Sequence, residues 1–145
     1  MIRARQALKL FEDLDDRFGT GWAYRDIGVA GAYSGQLEES GWALSEALRL
    51  FSAVGDLAGI AVLIGDISVL EGFRGDHERA ARLRGAAFGL DRRSGSAVVS
   101  VLDQVLPNVE ETVRGSLSQA EYDRLIEEGA ALDTDQAVAF ALGRS

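Results

Sequence analysis

Ala7-Leu8-Lys9-Leu10-Phe11 returns forty residues later as Ala47-Leu48-Arg49-Leu50-Phe51. In the same register Asp16 falls on Asp56, Gly19 on Gly59, Asp26-Ile27 on Asp66-Ile67, Val29 on Val69, Gly35 on Gly75 and Glu38 on Glu78. Tyr33 over Phe73 and Lys9 over Arg49 add conservative matches. A fixed period of roughly 20 to 50 residues marks a chain built from stacked supersecondary units.

Each unit reads as two helices. Trp22, Ala23, Ile27 and Ala30 form an apolar stripe at three-and-four spacing that stops at Gly35, a residue suited to a left-handed cap. A second helix places Leu37, Ser40, Leu44, Ala47, Leu48 and Phe51 on one face and Glu38, Glu39, Glu46 and Arg49 on the other. Gly55-Asp56 then ends that helix and supplies the N-cap of the next, which runs from Ala58 to Arg74. Gly75 is the following turn, and a helix from His77 to about Leu90 completes the second unit. Neither helix of a pair can bury its stripe alone, so the units must stack.

This phase divides the chain. Residues 1–16 read as the second helix of a truncated repeat, 20–54 and 57–91 as two repeat units, and 96–145 as capping helices of a single domain. Arg92-Arg93-Ser94-Gly95-Ser96 is the strongest loop signal, and a helix from Ala97 to Leu106 is expected to end at Pro107, which opens another through Arg114. Ser118 with Glu121 and Asp133 with Gln136 have capping-box spacing before the last two apolar stripes. The expected fold class is all-α, with about seven or eight helices.

Composition removes many functions. The chain has 145 residues, no Cys and one His, so thiol chemistry and nearly all transition-metal sites are excluded, and no cofactor is expected. A formal net charge of -8 repels nucleic acid and anionic membrane. The longest apolar run, near Gly59 to Ile64, is far short of a membrane span and is broken by Gly65 and Asp66. The start lacks the continuous apolar stretch of a signal peptide, so a cytoplasmic location is expected.

The packing residues resemble those of tetratricopeptide (TPR) repeats. With Gly35 and Gly75 as turn glycines, Tyr24, Ile27, Gly28, Ser40, Leu44 and Ala47 stand where that family places its large and small packing residues, in a unit six residues longer, as in bacterial STAND-type regulators. The second unit matches at Ile64, Ile67, Ala80 and Ala87, but Ser68 replaces the usual Gly and Arg84 stands where a core residue is expected. Ala-Arg-Leu-Arg-Gly-Ala-Ala at 81–87 and the stretch from Glu127 to Leu142 are similar to the TPR tail of actinobacterial LuxR-, SARP- or MalT-like regulators and cyclase-ATPase proteins. The resemblance implies a TPR-like solenoid with a right-handed superhelix, and a non-catalytic interaction or regulatory role. No residue carrying the family's ATPase, cyclase or DNA-binding chemistry is present.

Motifs for chemistry are sparse. The only Lys is Lys9, which excludes a P-loop, and Gly28, Gly31 and Gly35 have the wrong spacing for dinucleotide binding. His77 adjoins Asp76 and Glu78, but neighbours on a helix do not face one another, so a partly exposed position at a helix start is expected. The carboxylate pairs Asp15/Asp16, Glu38/Glu39, Glu110/Glu111 and Glu127/Glu128 read as solvated faces. No enzyme is expected.

Two binding surfaces remain. By the TPR phase, Trp22, Arg25, Val29, Ala32 and Tyr33, then Val62, Gly65, Val69, Gly72 and Phe73, face a concave groove that is apolar with aromatic rims. It suits an amphipathic helix or apolar peptide, either a protein partner or a neighbouring domain of a longer regulator. In so short an array, helix 1 or the carboxy-terminal helices can instead fill it as core. A small-molecule inducer within the superhelix is the alternative, and a homodimer through helix 1–16 a further one. The second surface is a local excess of positive charge at Arg79, Arg82, Arg84, Arg92 and Arg93, read either as arginines paired along the array or as a patch for an acidic partner.

Overall fold

Several helices in this chain begin where a short polar side chain caps them, and several end at glycines. The computed structural model describes residues 2–13, 16–106 and 108–143. The Asp16 carboxylate accepts from the Gly19 N–H at 2.9 Å to open α2 (Arg17–Tyr33), and Asp56 accepts from Gly59 at 3.1 Å to open α4 (Leu57–Arg74). Asp76 does the same for α5 (His77–Ser94), accepting from Arg79 at 3.2 Å. Between them lies α3 (Leu37–Val54), whose first turn carries Glu38 and Glu39 at the positive end of the helix dipole.

At the other ends Gly35, Gly55, Gly75, Gly95 and Gly115 all take positive φ, at 84°, 72°, 88°, 73° and 55°. Gly35, Gly55, Gly75 and Gly95 each follow one helix, whereas the described residues between Gly95 and Gly115 form two short helices, so the one-helix rhythm ends there. After α3 and α4 the chain reverses in two residues. Asp56 N–H donates back to the Phe51 carbonyl at 3.1 Å and Asp76 N–H to Glu71 at 3.0 Å, while each aspartate side chain starts the next helix.

The helices α2 and α3 pair as one hairpin and α4 and α5 as the next, with α3 against α4 and α1 (Ile2–Asp13) against α2. Leu44, Leu48 and Phe51 of α3, Ile60, Leu63 and Ile64 of α4, and Leu83 and Leu90 of α5 are buried in one core. Each such side chain contributes about 1.5–3 kcal/mol through removal from water. Within the first hairpin Ser40 Oγ donates to the Gly28 carbonyl at 2.6 Å, and a Cβ at Gly28 would stand 2.5 Å from Leu44, so glycine sets the helix spacing there. In the second hairpin the equivalent bond runs from Ser68 Oγ to the Ala80 carbonyl at 2.8 Å.

The last third differs from expectation in detail. The helix α5 runs through Ser94, one turn beyond Leu90, because the buried Asp91 carboxylate accepts from Ser96 Oγ at 2.7 Å and from the Val99 N–H at 3.3 Å. Residues 98–114 hold two short helices, α6 (Val98–Val105) and α7 (Val109–Arg114). The expected Pro107 break lies outside the described residues. The helix α8 (Gln119–Ala130) returns against α5, where Gly85 faces the Ile126 carbonyl and Gly129 the Arg82 carbonyl. Ser118 caps α8 by accepting from Glu121 N–H, and Asp133 with Gln136 forms a full capping box on α9 (Thr134–Leu142). Ala137 and Ala141 of α9 join the core of α3, α4 and α5.

The described residues are therefore all-α, with nine helices rather than seven or eight and no strand. Among them no helix is long and apolar enough to cross a membrane.

Candidate binding groove

Two contacts set the groove. The Arg25 guanidinium of α2 donates from Nε and Nη2 to the Asp66 carboxylate of α4 at 2.6 and 3.1 Å. About two turns further on, the Tyr33 and Phe73 rings meet edge to face with centroids 5.3 Å apart and planes at 78°. Partners 41 and 40 residues apart, advancing together, place α2 and α4 side by side and parallel. The aromatic pair stands at their carboxy-terminal ends with Tyr33 53% and Phe73 39% exposed.

Of the residues expected along this groove, Val29, Ala32, Tyr33 and Val69 are brought together, with Asp66 between the two helices and Leu106 closing one side over a cleft of about 20 Å³. Trp22 stands apart, in an aromatic cluster with Phe18 at 6.1 Å and Phe51 at 5.0 Å, with the Arg25 guanidinium 5.8 Å from its ring centre. Val62 and Val69 are 3% and 8% exposed. They lie beneath α6 and α7, with Gly65, Val99, Leu102, Leu106 and Val109 around a cavity of about 40 Å³. At Gly72 a Cβ would stand 2.5 Å from the Thr112 carbonyl of α7. The α4 half of the groove is thus occupied by the chain's own α6 and α7, and the α2 half with the Tyr33–Phe73 pair is open. Helix α1 packs on α2, and none of its described residues lines either cavity.

Burial pushes the Asp66 carboxyl above the usual carboxylate range, the Arg25 guanidinium opposes that shift, and Asp26 adds to it. Burial works against the charge on Arg25, but Asp66 more than offsets it and the guanidinium stays ionised. Tyr33 is pushed up by burial and then by the nearby Asp66 charge.

The arginines of the basic segment are distributed among internal partners. Arg79 pairs with the buried Glu71 carboxylate at 3.1 Å, donates to the Ala141 carbonyl at 3.0 Å and lies 4.7 Å from the Phe140 ring centre. Arg82 bonds Glu128 at 3.0 Å, and Arg93 donates to the Leu132 carbonyl at 2.8 Å. Arg84, the residue out of place in a repeat core, reaches Asp103 of α6 at 2.7 Å and lies 4.8 Å from the Phe88 ring centre. Arg92 is exposed. This arrangement ties α5 to the helices that follow it.

His77 Nδ1 donates to the Val113 carbonyl at 3.0 Å, fixing α5 to α7. Glu39 pairs with Arg5, and Glu128 accepts from Arg82 and Arg124, which hold its carboxyl below the usual range. Asp16 is an N-cap, and Asp15 lies outside the described residues. Among the described residues no three His, Cys, Asp or Glu side chains gather where they could hold a metal.

Sequence reasoning singled out neither Asp66 nor the α6 residues as part of the site. The repeated Asp26/Asp66 identity and the apolar spacing of Val99, Leu102 and Leu106 were signals for both. The chain matches no protein-family model, no curated protein and no solved structure.

Proposed function

We propose that this chain is a TPR-like, non-catalytic interaction module, a regulatory arm of a bacterial transcriptional regulator of the LuxR, SARP or MalT-like kind. It takes an apolar or amphipathic segment of a protein partner, or of a neighbouring domain, in the groove between α2 and α4. Support for the repeat assignment comes from the forty-residue period, the positive-φ glycines at 35, 55, 75 and 95, and the paired Ser40–Gly28 and Ser68–Ala80 bonds. The observation that carries the binding reading is the exposed Tyr33–Phe73 pair at the mouth of the α2–α4 cleft, a rigid aromatic edge beside the fixed Arg25–Asp66 ion pair. Aromatic anchors around a small polar feature are what protein interfaces favour.

The test is selection of a displayed library of amphipathic helical peptides on the full chain, followed by affinities on variants. Selected peptides are expected to weaken about ten-fold on Tyr33→Ala and on Phe73→Ala, the loss of one interface anchor. Binders indifferent to both substitutions in folded protein would refute the site.

A small-molecule sensor draws on the same Asp66 and Arg25. The cavities of about 40 and 20 Å³ admit only a few water-sized bodies, so an inducer would require α6 to move. A ligand of that kind raises the melting temperature by mass action, and a metabolite screen reads it directly.

A further inference from the structure

Trp42 of α3 is 54% exposed and takes no part in the α2–α4 groove. Its ring meets Tyr24 of α2 edge to face, with centroids 5.3 Å apart and planes at 83°. Tyr24 is itself fixed, packing on the core and donating its hydroxyl to Glu12 of α1 at 3.2 Å. One helical turn from Trp42 on either side stand Glu38, Glu39 and Glu46, which share its face of α3. Burial pushes the Tyr24 phenol up, and the charges of Glu12 and then Glu46 push it further, so both carboxylates bear on the same aromatic corner.

The repeat does not require this surface. Forty residues on, Tyr24, Glu39, Trp42 and Glu46 become Ile64, Arg79, Arg82 and Ala86, and α4 still pairs with α5 as α2 does with α3. The exposed ring and its acidic surround are therefore particular to the first unit.

Elsewhere the chain shows what it sets between a ring and a carboxylate. The guanidinium groups of Arg25, Arg79 and Arg84 lie 5.8, 4.7 and 4.8 Å from the ring centres of Trp22, Phe140 and Phe88. The same three arginines pair with Asp66, Glu71 and Asp103. Trp42 has the ring and the carboxylates, but among the described residues no cation lies over it. Arg5 holds Glu39 and Arg49 holds Glu46, while Glu12 and Glu38 make no ion pair among the described residues.

We propose that this face of α1, α2 and α3 is a second docking surface, which seats an arginine of a basic protein segment over the Trp42 ring, its guanidinium reaching the flanking carboxylates. Arginine suits the place better than lysine, because a planar guanidinium stacks on an indole while its N–H groups bond a carboxylate. Trp42 is open to water rather than enclosed. A segment that brings several cations along the row of Glu38, Trp42 and Glu46 therefore gains contacts that a small free cation does not. The surface shares no residue with the groove and stands independently of it.

The experiment titrates the full chain with an alanine-rich helical peptide carrying arginine at every fourth position, and follows both affinity and the Trp42 indole N–H resonance. Saturable binding should move that resonance. Trp42→Ala should weaken the peptide about five-fold and Trp42→Phe only about two-fold. Glu38→Gln combined with Glu46→Gln should weaken it about five-fold, and the lysine version of the peptide should bind about three-fold more weakly than the arginine version. Tyr33→Ala should leave the affinity unchanged, which separates this surface from the groove. If Trp42→Ala fails to fold, the indole shift on wild type and the arginine-over-lysine difference decide the matter.

No saturable binding, or a Trp42 resonance unmoved at saturation, would overturn the proposal. So would equal affinity for wild type and folded Trp42→Ala, which would reduce the effect to general attraction by a chain of net charge -8. Tetramethylammonium ion moving the indole at the same concentration as the peptide would assign the ring to a small cation and overturn the protein partner. A wild-type dimer abolished by Trp42→Ala would assign it to a second copy, with the same consequence.

Discussion

Ser68 Oγ donates to the Ala80 carbonyl at 2.8 Å, joining α4 to α5, whereas forty residues earlier the hydroxyl sits on the other helix, from Ser40 to the Gly28 carbonyl at 2.6 Å. Position 28 corresponds to 68 and position 40 to 80, so one inter-helix bond is kept while donor and acceptor exchange places. Ser68, in the place of Gly28, is thus a compensated change, matched by Ala80 in the place of Ser40.

Removing that bond has a defined cost. Ser68→Ala should lower the unfolding free energy by about 1 kcal/mol, the net worth of one buried hydrogen bond. Ser68→Ala combined with Ala80→Ser restores a donor on α5, as Ser40 is on α3, and should recover most of the loss in a denaturant titration. An additive double variant would show that the two sites do not share one bond.

The tight helix contact of the second half gives a sharper contrast. Gly85 faces the Ile126 carbonyl directly, whereas nothing lies near Gly35, whose φ is 84°. Gly85→Ala must separate α5 from α8 and should cost about 3 kcal/mol or more, as overpacking against backbone does. Gly35→Ala strains one turn and should cost about 1 kcal/mol. Thermal melts of the two variants compare them, and equal costs would mean that the α5–α8 approach is not tight.

Acid behaviour follows from Asp66. Its folded pKa is raised above the unfolded value, so its contribution to stability is fully present below the ordinary carboxylate pKa of about 4 and is lost as pH rises through the raised folded value. Wild-type stability minus that of Asp66→Asn should therefore fall with increasing pH across that window. A difference that grows with pH would mean that Arg25, not burial, dominates the carboxyl. The exposed Glu128 has the opposite sign, its contribution being lost as pH falls, and salt should screen it.

The hairpins were legible because their signals are local. Gly35 and Gly75 end helices by left-handed geometry, Asp56 begins one through a side chain three residues from its partner, and the apolar stripes follow helical periodicity. The groove was legible only in its α2 and α4 walls. That carboxy-terminal helices can fill it was an open alternative in the sequence, but how α6 is seated was not legible, because it depends on left-handed Ala97 and Asn108, a conformation that sequence patterns assign to glycine, and on the Arg84–Asp103 pair from separate elements. Arg84 was visible as a misfit in a repeat core, and its partner supplies the reason. Arg25 was visible as a groove residue, but Asp66 lies 41 residues away and no local rule pairs them.

The most direct measurement is a titration of the isotopically labelled full chain with an amphipathic helical peptide selected on it, followed amide by amide. Saturable shifts concentrated at Val29, Tyr33, Val69 and Phe73 are the predicted result, because these residues form the open cleft and its aromatic edge. No shift at saturating peptide, or shifts confined to α1 and α9, would contradict the assignment of the α2–α4 groove as the docking site.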